Sequence, residues 1–209
     1  MAVRQILFIP DPMLRRRARK VQSIDSSVLR LAHDMVDTMR DSAGVGLAAN
    51  QVGDLRRVIV LQMPEEDEAR IYINPEIIRR EGEREVEEGC LSIPGYRGFI
   101  TRSVAIRFRA LDHEAKVVKI KADELLAQAL EHEVDHLNGI LYTDHLASHE
   151  KLFRLESRSD EAEDEEDDSE DSSHDERLSV PTDQEILNIL GSGSPPVDAR
   201  EAPATLKIR

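Results

Sequence analysis

The stretch DELLAQALEHEVDHLNG, residues 123–139, decides the fold of this chain. Its apolar residues recur at spacings of three and four, which predicts an α-helix with one buried face. Asp123 occupies the capping position, and Asn138-Gly139 provides the stop. The predicted helix runs through Leu125, Leu126, Ala129, Leu130 and Leu137. Because so much of this helix is apolar, we expect it at the centre of a folded domain.

The elements that precede this helix indicate an α+β fold. An amphipathic helix is predicted from Ser26 to Met39, behind a cap at Asp25 or Ser26. Between the two helices the pattern changes to short β-like runs. These runs are RVIVL (57–61), IYIN (71–74) before Pro75, REVEE (84–88), VAIRFRALD (104–112) and KVVKIKA (116–122), with DHEA (112–115) as the hairpin turn between the last two. This order predicts antiparallel β-sheets around a central helix rather than alternating βαβ units.

Charge and composition divide the chain into a body and a tail. The net charge is −14, of which residues 157–209 contribute −11 and residues 1–156 contribute −3. The segment SRSDEAEDEEDDSEDSSHDE (157–176) has almost no apolar side chains to offset the entropy of ordering it. We therefore predict one catalytic domain over 1–156 and an acidic, mostly disordered tail over 157–209. Within that tail, Thr182 and Glu185 form a capping-box pattern that is compatible with a short docking helix at 182–190, and a transient helical turn in an unstructured tail is the favoured alternative.

Several classes of protein are disfavoured by the same composition. The body has no global basic field that would attract nucleic acid or a membrane surface. No apolar run approaches the ~20 residues that span a bilayer. The run Ile6–Ile9 is strand-like and ends at Pro10, which argues against a transit peptide around the Arg15–Arg17 cluster. We expect a soluble, unexported, cytoplasmic protein.

The chemistry is carried by the motif His132-Glu133-Val134-Asp135-His136. The two imidazoles lie one helical turn apart on the same face, so both can bind one metal ion. Glu133 projects about 100° away from His132 around the helix axis. It can therefore flank the ion and act as the general base of a metal-assisted hydrolysis without being a ligand.

Two histidines do not complete a catalytic site, which usually has three protein ligands and a water. The residues alone leave three candidates for the third ligand, namely Cys90 in Glu88-Gly89-Cys90-Leu91-Ser92, Glu150 and Glu156. Cys90 is the single cysteine of the chain, so an intramolecular disulfide is excluded. A buried thiol and a reactive thiol are the other interpretations of Cys90.

A loop of small residues follows the first helix. Its sequence is GVGLAANQ, residues 44–51, and its glycines permit the close approach of another backbone. The amide of Gln51 can donate to a developing oxyanion. A tight loop for helix packing is the structural alternative.

Taken in this order, GVGLAANQ, EGCLS and HEVDH resemble the three signature motifs of the peptide deformylases, and the resemblance runs from about Ile6 to His145. It implies the removal of the N-formyl group from the N-terminal methionine of newly made polypeptides, with release of formate. In this mechanism a metal-bound hydroxide attacks the formyl carbon, with Glu133 as general acid/base. The oxyanion is held by the metal, the Gln51 side-chain amide and the Leu91 backbone N–H.

The resemblance also assigns ligands, substrate and partners. The implied metal ligands are Cys90, His132 and His136, and the implied peptide-binding residues are Val45, Gly46, Arg97, Gln128 and Ala129. The implied cofactor is one divalent ion, Fe²⁺ in the cell, with zinc, nickel or cobalt as occupants on isolation. The implied partners are N-formylmethionyl nascent polypeptides, with transient proximity to the ribosome. The acidic tail is not expected to contact nucleic acid, since like charges repel, and no membrane partner is expected.

Some residues depart from the family pattern or lack a settled role. Glu131 stands where many members of the family carry Gln, which predicts a change in local polarity near the site. Asp135 is expected to support a histidine or an arginine, with Arg102 as the candidate arginine. The tail is acidic where some bacterial relatives continue into a basic helix, so a protein partner, an autoinhibitory lid and a solubilising role stay open.

Three rival interpretations make different predictions. An HExxH metalloprotease would use Glu156 as its third ligand and would keep its metal without Cys90. A catalytically dead formyl-peptide binder would have lost Glu133 or Gln51, and both are present. A purely structural zinc site would normally close the fourth position with another Cys or His.

Overall fold

The protein is described by a computed structural model over residues 2–156 and 177–190. The helices are α1 (Ser26–Asp41), α2 (Glu124–Asn138) and α3 (Asp183–Leu190). The strands are β1 (Gly46–Ala48), β2 (Val58–Leu61), β3 (Arg70–Glu81), β4 (Arg84–Cys90), β5 (Ile93–Arg102), β6 (Ala105–Leu111), β7 (Val117–Asp123), β8 (Leu152–Glu156) and β9 (Arg177–Ser179). Short 3₁₀ turns span Pro12–Arg15, Ala49–Val52, Tyr142–His145 and His149–Lys151. Within these ranges no helix is long and apolar enough to cross a membrane.

The strands form two antiparallel sheets, which confirms the predicted α+β class. A five-stranded sheet has the order β1-β2-β3-β6-β7, and a four-stranded sheet has the order β4-β5-β8-β9. The hairpin predicted at 112–115 joins β6 to β7, and the backbone N–H of Asp112 donates to the carbonyl of Lys116. Strand β1 lies at one end of the five-stranded sheet and pairs with β2 alone in that sheet.

The five-stranded sheet is covered on both faces by helices. Strand β2 is buried at all four positions, with Ile59 and Leu61 packed on the α2 side and Val58 and Val60 on the α1 side. This explains why its sequence is a continuous apolar run rather than an alternating one. Helix α2 is therefore the central helix that the sequence predicted, and it lies between the five-stranded sheet and the rest of the domain.

Helix α2 begins and ends close to the predicted positions. Asp123 is the N-cap residue, but its side chain makes no capping hydrogen bond. Gly139 ends the helix in the left-handed region at φ 78°. A Cβ at Gly139 would lie 2.7 Å from the carbonyl carbon of Arg15, so both the turn and the close packing require glycine here.

Helix α1 confirms its predicted range and cap. The Asp25 carboxylate accepts hydrogen bonds from the backbone N–H groups of Ser27 and Val28, at 2.8 and 3.0 Å. The buried face of the helix packs against β2 through Leu31, Met35 and Met39. This helix acts as the supporting wall behind the small-residue loop.

The structure corrects the predicted strands in two places: one strand is longer than predicted, and another was not predicted. The prediction ended a strand at Asn74, before Pro75, whereas β3 continues to Glu81. The pairing with β6 shifts register between Ile73 and Glu76, and Pro75 is tolerated at this irregularity. Strand β5 was not predicted because Pro94 and Gly95 near its start disfavour a strand by propensity.

The strand predicted at Ile6–Ile9 is absent, and this segment instead runs beside the signature loops. The backbone N–H of Leu7 donates to the carbonyl of Gln51 at 2.8 Å, and the N–H of Ile9 donates to the carbonyl of Ser92 at 3.1 Å. Three of its four apolar side chains, all except the exposed Phe8, pack against cores formed by the helices and sheets. The apolar run therefore reflects burial in an extended segment and not a place in a sheet.

The predicted boundary after Glu156 leaves out two elements that pack on the body. Strand β9 pairs with β8, and α3 buries Ile189 in the core of the four-stranded sheet, at 6% exposure. The capping pair is present, since the N–H of Thr182 donates to the Glu185 carboxylate at 2.7 Å. The disorder predicted for the rest of the tail concerns residues 157–176 and 191–209, which lie outside the described residues.

Candidate metal centre and active site

Three potential ligand atoms from α2 and the end of β4 meet at one point. Cys90 Sγ lies 3.2 Å from His136 Nε2, and His136 Nε2 lies 3.2 Å from His132 Nε2. All three atoms lie within 4.8 Å of one another. Cys90 ends β4, so its sulfur reaches the helix from the neighbouring sheet.

These donors fit a divalent metal ion. Tetrahedral coordination with metal–nitrogen bonds of about 2.0–2.1 Å places two nitrogen ligands about 3.3 Å apart, which is close to the 3.2 Å between His132 Nε2 and His136 Nε2. Burial alone would raise the pKa of the Cys90 thiol, but the adjacent His136 and His132 lower it to about 5. A thiolate with two imidazoles is a donor set typical of borderline-soft transition metals.

The orientation of His132 is fixed by a carboxylate from β4. Glu88 Oε2 lies 2.8 Å from His132 Nδ1, and Arg102 donates to both oxygens of Glu88, at 2.7 and 3.0 Å. Glu88 is 4% exposed. Burial alone would raise its pKa, but His132 and Arg102 lower it to about 2. Glu88 is therefore an ionised acceptor that holds the ring with Nε2 directed at the centre.

Asp135 and Arg102 form the pair that the sequence suggested. Arg102 Nη1 donates to Asp135 Oδ2 at 2.5 Å, and His145 Nε2 lies 2.9 Å from the same oxygen. Although burial opposes ionisation of Asp135, Arg102 and His145 hold the pKa of that carboxyl well below its usual range. Arg102 thus bridges Glu88 and Asp135, so that two buried carboxylates share one guanidinium.

Glu133 faces the centre without being one of the three ligands. It is 4% exposed, and its Oε2 is buried without a hydrogen-bond partner among the described residues. Burial raises the pKa of Glu133 to about 7, against the opposing effect of His132 and His136. A carboxyl with this pKa can accept and return a proton near neutral pH.

The second glycine of the small-residue loop makes room for Glu133. A Cβ at Gly46 would lie 2.9 Å from Glu133 Cδ and 3.0 Å from its Cγ. At Gly44 a Cβ would lie 2.7 Å from Leu91 Cδ1. Both glycines therefore bring the loop against the other two motifs, which is a closer association than a loop for helix packing needs.

The side chain of Gln51 is held beside the cysteine. Its Oε1 accepts a hydrogen bond from the N–H of Ala48 at 2.8 Å, and its Nε2 donates to Ser92 Oγ at 3.1 Å. The same Nε2 lies 3.6 Å from Cys90 Sγ. Gln51 is 2% exposed, so its amide is a fixed, buried donor next to the centre.

A cavity of about 410 Å³ opens at this centre. It is lined by Cys90, His132, Glu133, Gln51 and Leu91, together with all five residues that the resemblance assigns to peptide binding, Val45, Gly46, Arg97, Gln128 and Ala129. The predicted residues thus meet in one place. Glu150, an alternative third ligand, lies in the exposed turn His149–Lys151 and is not part of this cluster.

Sequence reasoning missed three supporting residues. Glu88 could have been found, because the two-residue period of a strand puts it on the same face as Cys90. Ser92 and Asn50 gave no comparable signal. Asn50 Nδ2 donates to the backbone carbonyl of His136 at 2.5 Å, a contact that the motifs do not encode.

Glu131 is not among the residues that line the cavity. Its carboxylate accepts hydrogen bonds from the Ser103 N–H at 2.9 Å, the Ser103 hydroxyl at 3.0 Å and Arg80 Nε at 2.7 Å. Because Glu131 lies one position before His132, helix geometry turns it about 100° from the ligand. Its charge is neutralised on the far side of α2.

An HExxH helix completed by a cysteine from a neighbouring strand, with a buried carboxyl facing a cavity, defines a metal-dependent hydrolase. The family model described as polypeptide deformylase matches residues 3–152. A peptide deformylase of Dehalococcoides mccartyi is 50% identical over 155 residues, which cover 74% of this chain and 93% of the relative. The chain belongs to the peptide deformylase family.

Solved structures support the same assignment. A peptide deformylase from Legionella pneumophila has a TM-score of 0.68 and 44% identity, covering 70% of this chain and 87% of that one. A peptide deformylase from Ehrlichia chaffeensis in complex with actinonin has a TM-score of 0.68 and 38% identity, covering 71% of this chain and 91% of that one. The protein is therefore an enzyme of this family, and the family is metal-dependent.

Proposed function

We propose that this enzyme removes the N-formyl group from the N-terminal methionine of newly made polypeptides and releases formate, with the cytoplasm as its compartment. The observation that carries the proposal is the contact between Gln51 Nε2 and Cys90 Sγ at 3.6 Å, beside the HExxH helix. It puts a neutral amide donor, a candidate metal site and a buried carboxyl in one cavity. Metal-assisted hydrolysis of a carbonyl compound uses groups of these three kinds.

Cys90, His132 and His136 are the proposed ligands of one divalent ion. When bound, such an ion lowers the pKa of a coordinated water and polarises a carbonyl oxygen. We propose Fe²⁺ as the ion in the cell, with zinc, nickel or cobalt as alternatives on isolation, because a thiolate and two imidazoles accept each of them. Metal analysis of protein purified without air, compared with protein purified in air, tests this choice.

Glu133 is the proposed general acid/base. Its raised pKa of about 7 allows it to take a proton from the attacking water and to deliver that proton to the departing amine. Its unpartnered Oε2 supports this role, because a buried carboxylate oxygen is free to accept the proton. The same group therefore serves both halves of the reaction.

Gln51 and Leu91 are the proposed donors to the oxyanion. Ala48 and Ser92 fix the Gln51 amide, so it needs no reorganisation when charge develops on the formyl oxygen. Leu91 follows the ligand Cys90 directly, in the turn between β4 and β5. Its backbone N–H is the second proposed donor.

The peptide is proposed to bind in an extended conformation along β1. This strand ends the five-stranded sheet, so the edge that faces away from β2 can pair with an added strand. Val45 and Gly46 would supply these main-chain contacts. Arg97, Gln128 and Ala129, which line the same cavity, would contact the substrate's methionine side chain and backbone.

The decisive experiment measures formate release from a formyl-methionyl peptide by protein purified without air. The parent enzyme should release formate, and Glu133→Ala should lose ~10²-fold or more in turnover while keeping its metal. Absence of formate from metal-loaded parent protein would falsify the proposed function.

A second variant separates this proposal from an HExxH protease that uses Glu156. Cys90→Ala should lose both metal and activity if Cys90 is a ligand. Retention of stoichiometric metal by Cys90→Ala would instead favour the protease interpretation. Proteolysis of an unformylated peptide by the parent enzyme would also favour the protease interpretation.

A further inference from the structure

One carboxylate in the C-terminal helix joins three parts of the fold. Glu185 Oε1 accepts a hydrogen bond from the Tyr96 hydroxyl at 3.0 Å and forms an ion pair with Arg154 Nη1 at 3.1 Å. Glu185 Oε2 accepts from the N–H of Thr182 at 2.7 Å, which caps α3. Tyr96 and Arg154 lie opposite each other on β5 and β8. The first turn of α3 is therefore tied to two adjacent strands by a single side chain.

Both of these strands contribute to the wall of the catalytic cavity. Tyr96 from β5 and Leu155 from β8 line it. Tyr96 also belongs to the hairpin that begins with the ligand Cys90, since Cys90 pairs with Ile93 across the turn. A contact that fixes Tyr96 therefore also fixes part of the cavity wall that α2 does not supply.

The remainder of α3 is anchored by apolar contacts. Ile189 is buried at 6% exposure in the core of the four-stranded sheet, and Leu190 packs against the same core, as does Tyr96. Strand β9 adds main-chain pairing to β8. Residues 177–190 consequently form a clasp, fixed at β9, at Glu185 and at the end of α3.

The bond from Tyr96 to Glu185 has the character of a charge-assisted hydrogen bond. The Thr182 N–H, the Thr182 hydroxyl and the Tyr96 hydroxyl lower the pKa of Glu185 to about 2, so its carboxylate is ionised at neutral pH. Hydrogen bonds to an ionised acceptor are stronger and more directional than neutral ones. This hydrogen bond therefore favours the Tyr96 rotamer that reaches Glu185.

We propose that the clasp is part of the substrate-binding wall, and that Glu185 is a positioning residue which holds Tyr96 for contact with the peptide beyond its formyl-methionine. This inference rests on the proposed function. With its hydroxyl engaged by Glu185, Tyr96 offers its ring to a side chain of the second or third substrate residue.

The test compares KM and kcat for two substrates, formyl-methionyl-alanyl-serine and formyl-methionine amide. Tyr96→Phe keeps the ring and the helix cap and removes only the hydrogen bond. We expect it to raise KM for the tripeptide about three- to tenfold, the effect of freeing one ordered side chain. The kcat should stay within twofold, and KM for the amide should be nearly unchanged.

Variants at Glu185 provide the matched comparison. Glu185→Ala should raise KM for the tripeptide at least as much as Tyr96→Phe, whereas Glu185→Gln, which keeps an acceptor and a capping group, should lie between Glu185→Ala and the parent. In the Tyr96→Phe background, Glu185→Gln should add little. Glu150→Gln makes the same charge change in an exposed turn and should leave both constants at parent values.

Each outcome supports or overturns the inference. Unchanged KM for the tripeptide in Tyr96→Phe and Glu185→Gln, in otherwise active enzyme, would overturn it. Equal losses on both substrates would also overturn it, because they indicate a structural role without selectivity for the longer peptide. If Glu185→Ala fails to fold, Tyr96→Phe still decides the question. Absence of formate release by the parent enzyme would instead refute the proposed function, so the two failures can be distinguished.

Discussion

Glu88 Oε2 lies 2.8 Å from Nδ1 of His132, so a carboxylate on β4 orients a histidine on α2 whose other nitrogen faces the candidate metal centre. This contact joins the EGCLS motif to the HEVDH motif. Cys90, from the same strand, makes a second connection, since its sulfur also reaches the centre. The strand thus supplies both a proposed ligand and the support of another.

Replacing Glu88 should weaken metal binding without removing a proposed ligand. We expect Glu88→Gln to lower metal affinity about 10–100-fold, because His132 loses an ionised acceptor that fixes its ring. Competition with a chelator measures the change. Glu85→Gln, on the same strand but exposed, is the control and should behave as the parent. Equal affinities in Glu88→Gln and the parent would contradict the role given to Glu88.

Replacing Arg102 should destabilise the whole domain. Arg102 is 5% exposed and bridges Glu88 and Asp135, so its loss removes the cation that these two buried carboxylates share. We expect Arg102→Met to lower the free energy of unfolding by about 3–5 kcal/mol. Arg107→Met, at an exposed ion pair on β6, should change it by less than about 1 kcal/mol. Urea unfolding of both variants measures the difference, and similar losses would contradict the prediction.

Gly46 should not tolerate even a methyl group. In Gly46→Ala the added Cβ would lie 2.9 Å from Glu133 Cδ, so the carboxyl must move from its place in the cavity. We expect a fall in kcat of about 10²-fold, similar to the loss of a general base, with the metal retained. Formate release and metal content together measure this.

A double variant checks the cause of that loss. Glu133→Ala removes the group with which the new methyl collides. The decrease in melting temperature caused by Gly46→Ala should therefore be smaller in the Glu133→Ala background. Additive decreases would show that the clash with Glu133 is not the reason.

The parts of the site that are local in sequence could be predicted, and the parts made by packing could not. Helix geometry alone places His132 and His136 on one face. The choice of Cys90 as third ligand came from the family resemblance, because residue chemistry alone left Glu150 and Glu156 open. The bond from Asn50 to the His136 carbonyl joins residues 86 positions apart and has no local signal.

The fold shows the same division between features that are local in sequence and features that depend on packing. Strand β2 and helix α1 were predicted from periodicity and capping, whereas β5 was hidden by Pro94 and Gly95. The capping pair indicated the position of α3, but β9 was missed because a strongly acidic segment precedes it. Composition predicts whether a segment as a whole tends to fold. Whether one apolar side chain is buried or one short strand is paired depends on the neighbouring surface of the domain.

Glu131 should be replaceable by Gln with little effect on catalysis. Its carboxylate contacts Ser103 and Arg80 on the side of α2 away from the cavity. Glu131→Gln keeps an acceptor for the Ser103 N–H but loses the ion pair with Arg80, so we expect a loss of about 1–2 kcal/mol in stability. The kcat and KM should stay within twofold of the parent. A tenfold fall in kcat would mean that the charge of Glu131 acts on the site.

The pairing of the N-terminal segment with α1 should weaken on acidification. The Ala2 N–H and the Arg4 guanidinium hold the pKa of Asp34 below its ordinary value of 3.8, and Arg4 Nη2 lies 2.9 Å from the carboxylate. Because the folded pKa is the lower one, the stabilisation is fully present above about pH 3.8 and is lost as the pH falls through the folded pKa. Asp34→Asn should therefore be less stable than the parent at pH 7, by under about 1 kcal/mol, because this ion pair is still partly exposed to solvent. The difference in melting temperature should shrink below pH 3.8, and a difference that stays constant down to pH 2.5 would contradict this assignment.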